Sequence, residues 1–259
     1  MSVAATVPRR RRRPATRAHR IAVLLYAVLC VLVAGVALFP VRSGSLRLAL
    51  ISGLFGLWAG ALFLFWDRIF VRVLCLAAAV AAGALALLPT LAIDTDSLRG
   101  KYVRSLQSYE GTRYVWGGET RLGMDCSGLV RAGLMEAETK EALRARNFVL
   151  LRKAASLWWN DASAKALSEE FQGRTRKLGV TRSLNEADYT LLKPGDLAVT
   201  AGGQHILAYT GDKTWIEADP GAGKVVSVRV PSRDGWFVQE ATLLRWRILE
   251  PTAQNAEPR

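Results

Sequence analysis

Met124-Asp125-Cys126-Ser127-Gly128-Leu129-Val130-Arg131-Ala132-Gly133-Leu134 begins as a polar loop and runs into apolar residues at helical spacing, so its thiol falls at or near the start of a helix. That position has chemical consequences. Unpaired N–H groups and the dipole at a helix start favour a thiolate, whereas an ordinary cysteine, with a pKa of roughly 8.5, holds little anion at neutral pH. Cys126 is flanked by Asp125, Ser127 and Gly128, as expected where backbone must approach a substrate, while Cys30 and Cys75 sit in apolar stretches and leave no disulfide framework.

Outward from this stretch, the chain from Asp94 onward mixes charges of both signs with Trp and Tyr. Asp94-Thr95-Asp96-Ser97 offers N-cap chemistry, and Leu98, Tyr102, Leu106 and Tyr109 recur at helical spacing until Gly111. Arg113 to Gly118 is a short extended segment ending in a glycine pair. Residues 138–192 are polar and helix-leaning, with no function legible in them. After Lys193-Pro194-Gly195-Asp196 strands are predicted at Leu197–Thr200, Gln204–Tyr209, Thr214–Ala218, Lys224–Val230 and Leu243–Leu249, most of them parted by glycine-rich turns. Helices followed by a meander of short strands indicate an α+β domain with an antiparallel sheet packed on helices.

A thiolate needs a base, and His205 is the single histidine of this domain. A lone cysteine is often an inert small hydrophobe and a lone histidine a satisfied core residue. The polar flanks of Cys126 tip the balance toward a thiol–imidazole pair, with the amides at the helix start as donors for an oxyanion. A third group would fix the imidazole, and Glu217 on the next strand is the candidate. It shares a face with His205 only if the intervening hairpin has an odd loop or one bulge; a plain two-residue Gly211-Asp212 loop puts them on opposite faces.

The N-terminal third differs in kind. The formal charge of +13 is mostly a tail: residues 1–20 hold seven Arg and no acid, while residues 94–259 hold 24 basic against 21 acidic residues. Three uncharged apolar runs follow, Ile21–Phe39, Leu48–Trp66 and Val73–Ile93, of 19, 19 and 21 residues. Each matches the ~20 residues that a helix needs to cross a bilayer. The expected organisation is a basic cytoplasmic tail (1–20), a three-helix transmembrane anchor (21–93), a working domain (94–250) and a short tail (251–259). The Arg cluster should stay cytoplasmic, which puts the working domain on the far side of a multi-pass membrane protein. A basic flank beside a first span serves topology and contact with the lipid bilayer, so no nucleic-acid partner is expected. One His and one Cys are too few for a metal site, and no nucleotide-binding glycine loop occurs, so neither metal nor cofactor is expected.

The motifs Gly111-Thr112-Arg113-Tyr114-Val115-Trp116-Gly117-Gly118, Asp125-Cys126-Ser127-Gly128-Leu129-Val130, Lys193-Pro194-Gly195-Asp196-Leu197, His205-Ile206-Leu207-Ala208-Tyr209 and Trp215-Ile216-Glu217-Ala218 together resemble the NlpC/P60 family of papain-like cell-wall cysteine peptidases. The resemblance spans residues 94–249. It implies Cys126 as nucleophile, His205 as base and Glu217 as polar third member, with Tyr114, Asp125 and Ser127 lining the substrate site. It also implies hydrolysis of peptidoglycan stem peptides at the outer face of a bacterial inner membrane, in the periplasm. Alternatives are a thiol acyltransferase or lipid-directed amidase fed from the bilayer, and a catalytically silent scaffold that recruits an unidentified membrane or cell-wall protein.

Overall fold

The computed structural model describes residues 17–87 and 92–251. Most of the basic tail, including Arg9–Arg13, and residues 252–259 lie outside them. Two compact units emerge. One holds the chain up to Ala37 together with Ala49–Ala79; the other holds Leu38–Leu48 and the chain from Val80 onward.

The first unit holds most of helices α1 (Arg17–Leu38) and α2 (Gly44–Leu64) and the first half of α3 (Ile69–Leu87). On α2, a Cβ at Gly53 would meet Val33 at 2.5 Å and one at Gly60 would meet Tyr26 at 2.8 Å. Small residues therefore let α1 and α2 approach closely, and the Tyr26 hydroxyl donates to the Leu57 carbonyl at 3.2 Å. Large apolar side chains such as Leu24, Phe63 and Phe70 remain 66%, 84% and 76% exposed, which is the reverse of a buried bundle core.

Among the described residues, α1 and α2 are long and apolar enough to cross a membrane. The expected three spans are thus corrected to two. The third predicted run, Val73–Ile93, does not coincide with α3, which begins earlier, at Ile69, and whose described apolar stretch is Ile69–Ala84. Ile93 lies beyond the helix, and residues 88–91 are outside the described set.

In the second unit α4 (Thr95–Gln107) starts at Asp94, whose carboxylate accepts from the Ser97 amide at 2.9 Å. A two-strand ribbon, β1 (Glu119–Thr120) and β2 (Gly123–Met124), leads into α5 (Cys126–Ala145). Then come α6 (Phe148–Trp159), α7 (Ala164–Ser168) and six strands: β3 (Thr175–Thr181), β4 (Leu197–Thr200), β5 (Ile206–Gly211), β6 (Thr214–Asp219), β7 (Lys224–Arg229) and β8 (Ala241–Trp246). The strands form one sheet in the order β3-β8-β4-β5-β6-β7, and every neighbouring pair is antiparallel. The α+β architecture with an antiparallel sheet on helices is as expected. Strand β3 was not foreseen, since it falls in the stretch expected to lean helical.

Both faces of the sheet are covered. Leu197, Val199, Ile206, Ile216 and Leu244 join Leu98, Tyr102, Leu106 and Leu129 of the helices, while Leu207, Trp215, Phe237 and Leu243 form a second core beneath loops. Each such buried side chain contributes roughly 1.5–3 kcal/mol. Tyr102 ties the helical layer together: it donates to the Val130 carbonyl at 3.2 Å and accepts from the Trp246 indole at 3.1 Å. The Lys193-Pro194-Gly195-Asp196 turn seats β4, because buried Asp196 takes Arg245 bidentately at 2.7 and 2.6 Å.

Candidate active site

Cys126 is the first residue of α5, and Asp125 is its N-cap. The Asp125 carboxylate places that helix start: Oδ1 accepts from the Gly128 amide at 2.6 Å and the Ser127 hydroxyl at 3.0 Å, and Oδ2 accepts from the Gly117 amide at 2.8 Å. The Cys126 and Ser127 amides, which helix geometry leaves without intrahelical partners, remain as donors beside the sulfur. Gly128 is demanded by contact, since a Cβ there would lie 2.0 Å from the Gly118 carbonyl oxygen.

His205 stands immediately before β5, not within a strand as expected. Its backbone is pinned to β4, with the Thr200 amide donating to its carbonyl at 3.0 Å and its own amide donating to Thr200 Oγ1 at 3.1 Å. Nε2 of the ring lies 2.5 Å from Glu217 Oε2, and the Cys126 thiol is near enough to act on the imidazole. With Nε2 committed, Nδ1 is the nitrogen left for the sulfur. Trp236 stacks on the imidazole at 4.3 Å between centroids and 19° between planes.

All three groups are buried, at 8%, 2% and 0% exposure for Cys126, His205 and Glu217. Burial alone would lower the His205 pKa, but hydrogen bonds and charge from Cys126 and Glu217 outweigh it and push the imidazole up to about 9. Burial raises the Glu217 carboxyl, and nearby Asp234 and Asp219 add to this while His205 opposes it. Tyr114 lies close to this charge: burial, then Cys126 and Asp125, push its phenol up to about 12.

A cleft of about 330 Å³ opens onto Cys126, lined among others by Trp116, Ser127, Arg131, Asp161 and Gln204. Of the expected substrate residues, Asp125 and Ser127 line it, but both are engaged with each other; Tyr114 is near Cys126 without being part of this lining. The stretch 138–192, unreadable in the sequence, supplies one wall through Asp161, Ser163, Ala164 and Ala166. Trp236, Asp161 and Arg131 were not anticipated. Their only sequence signals are an exposed-type aromatic in a polar loop and charges without an obvious partner. Among the described residues no group of His, Cys, Asp and Glu side chains is arranged to hold a metal ion.

The model of the NlpC/P60 family matches residues 111–245. Among solved structures the chain is similar to an NlpC/P60 family protein from Bacillus cereus, at 19% identity over 61% of this chain and 41% of that one, with a TM-score of 0.37. It is also similar to the peptidoglycan hydrolase RipB from Mycobacterium tuberculosis, at 22% identity over 65% and 72% of the two chains, TM-score 0.38. A third is the P60 domain of an antigen from M. avium subspecies paratuberculosis, at 19% identity over 61% and 100%, TM-score 0.35. The chain therefore spans less than half of the Bacillus cereus protein. A search of curated proteins finds no match. The family match takes in more than half of the residues, including the Cys126 and His205 motifs, and on that ground the chain belongs to the NlpC/P60 family.

Proposed function

We propose that the protein is a membrane-anchored cysteine endopeptidase or amidase that hydrolyses peptidoglycan stem peptides. At family level the reading is a cell-wall peptidase or amidase. The observation that carries the finer claim is the arrangement of Cys126 at a helix start, His205 beside it, and Glu217 on one ring nitrogen. In this reading the Cys126 thiolate attacks the amide carbonyl carbon, and the oxyanion takes hydrogen bonds from the helix-start amides. The His205 imidazolium then gives its proton to the departing amine as the C–N bond breaks, leaving a thioester. His205 next takes a proton from water, whose oxygen attacks the thioester carbonyl and releases the acid and the thiolate. Glu217 keeps the imidazole oriented throughout.

Exposed apolar flanks on α1 and α2 support a bilayer anchor. The segment Leu38–Leu48 joining these helices belongs to the same unit as the catalytic domain. By the positive-inside rule the Arg-rich stretch ahead of α1 is expected on the cytoplasmic side of that bilayer. The test uses the full chain in detergent micelles, incubated with purified murein peptides. Loss of one defined peptide bond, abolished by Cys126→Ala, is the expected result. An intact peptide set alongside altered acyl lipids would replace the reading with lipid-directed acyl chemistry, and no product of either kind would leave a scaffold.

A further inference from the structure

The connection between α1 and α2 does more than turn the chain. Its backbone pairs with the segment that forms one lip of the cleft: the Arg42 amide donates to the Gly117 carbonyl at 3.1 Å, and the Glu119 amide donates to the Pro40 carbonyl at 3.1 Å. Gly117 is thereby held on both sides, since its own amide is bonded to Asp125, the cap of the Cys126 helix. Side chains close the same gap, with Val41 packed where a Cβ on Gly117 would lie 3.2 Å away.

Arg47 completes the link. It is fully buried, and its Nη2 donates to Glu119 Oε2 at 2.9 Å and lies 3.7 Å from Asp161 Oδ1. Arg131 reaches the same two carboxylates from α5, at 2.9 Å to Glu119 Oε1 and 2.8 Å to Asp161 Oδ1. Its Nε donates back to the Ser127 carbonyl, one residue past the thiol. The Arg47 guanidinium also lies 5.7 Å from the Trp158 ring centroid on α6. Arg47 and Arg131 with Glu119 and Asp161 thus tie the start of α2, β1, α5 and the wall after α6 into one cluster, buried except at Asp161 and with Arg42 close enough to act on Glu119.

This cluster is an expensive way to gain stability. Nε and Nη1 of Arg47 are buried without hydrogen-bond partners among the described residues, and an apolar side chain would fill the site without desolvating a charge. What the charges do supply is fixed position. Asp161 and Arg131 both line the cleft, and Arg47 with Glu119 sets where they stand.

We infer that Arg47 is a positioning residue for the cleft beside Cys126, so that the α1–α2 connection is part of the active site as well as a tether. It acts through Glu119, Arg131 and Asp161 and touches neither the sulfur nor the imidazole. Without Arg47 the cluster loses a cation, Glu119 and Asp161 compete for the Arg131 guanidinium, and half-exposed Asp161 is the partner free to swing away. The wall then opens while the Cys126–His205–Glu217 geometry is kept. The inference rests on reading this cleft as the substrate site, but its test needs no turnover.

In the full chain carrying Cys30→Ala and Cys75→Ala, Cys126 is the only thiol. Its alkylation is followed by mass spectrometry with iodoacetamide, which is small, and with fluorescein-5-maleimide, which must fit between the cleft walls. Arg47→Met is expected to raise the ratio of maleimide to iodoacetamide rates at least fivefold with the iodoacetamide rate within twofold of the parent, and Arg47→Lys to restore most of the parent ratio. An unchanged ratio overturns the inference, as does a parallel rise of both rates, which marks general loosening. Should Arg47→Met fail to fold, Asp161→Asn asks the same question from the solvent side: the ratio rises in the same way or the inference falls. Parent protein that cleaves no murein peptide yet shows these shifts would end the functional reading and leave this one standing.

Discussion

His205 and Glu217 meet at 2.5 Å because one residue is out of register between their strands. At the turn Gly211 pairs with Thr214 around Asp212 and Lys213, both at positive φ, a two-residue loop. Continued unbroken, that register would place residues 205 and 217 on opposite faces of the sheet. It shifts between Gly211 and Tyr209, which pairs with Trp215, so Thr210 is the extra residue of a bulge. The shift changes the parity, and Glu217 arrives on the same face as His205.

The pair makes a prediction with a definite sign. His205 is held up to about 9, so the stability it contributes is complete below its unfolded value of roughly 6.5 and is lost as pH rises through 9. Activity that needs the imidazolium to protonate the leaving amine should fall over the same alkaline limb. Glu217→Gln removes the carboxylate's charge but can still orient the ring. We expect the alkaline limb of kcat/KM to move down by about one pH unit and the rate at pH 7 to fall about tenfold, against a loss of about 10² to 10⁴ for His205→Ala. Equal losses at pH 7 would mean that Glu217 does more than hold the imidazole.

Close packing at the start of α5 gives a second. An alanine at residue 128 would bring a Cβ to 2.0 Å from the Gly118 carbonyl oxygen and 3.1 Å from Asp125 Oδ1, so either the helix start or the Gly117–Gly118 lip must move by more than an ångström. Misplacement on that scale costs about a hundredfold in rate. Gly128→Ala should therefore lower kcat at least that much, with slower Cys126 alkylation. Gly100→Ala on α4, where the nearest atom is the flexible end of Arg104 at 3.4 Å, should leave activity intact. Similar activity for both variants would show that the lip yields without disturbing the sulfur.

How far the residues speak for themselves depends on the distance over which their signals act. The placement of Cys126 was legible because N-capping is decided within three or four residues, and His205 because the domain holds no other imidazole. Glu217 was legible only conditionally, since a bulge at Thr210 is a property of the paired strands. Strand β3 escaped because it is an edge strand: Arg176, Lys177 and Val180 face solvent, and charges that protect an exposed edge look like a solvated segment when read in one dimension. Arg47 and Glu119 are 72 residues apart, and nothing in either neighbourhood announces the other. The third apolar run counted as a span on hydropathy alone, which does not see that its helix starts at Ile69 and that Ile93 lies outside it.

The last prediction concerns a carboxyl that the proposed chemistry does not use. Glu138 on α5 is 2% exposed, its Oε2 has no hydrogen-bond partner among the described residues, and it borders a cavity of about 320 Å³ with Lys153 and Arg174. Burial pushes its pKa up to about 8, with Lys153 and Arg174 opposing. Below the unfolded value of roughly 4.3 both states are protonated and the group is neutral in its effect. Between there and 8 the unfolded chain ionises while the folded one resists, so stability drains steadily with rising pH. Glu138→Gln keeps the shape and removes the titration. Its melting temperature should match the parent's at pH 4.5 and exceed it by several degrees at pH 8, read by thermal scans in the same detergent. A gap that is constant across this range would mean that Lys153 or Arg174 already holds the carboxylate ionised, with the cavity wet enough to solvate all three.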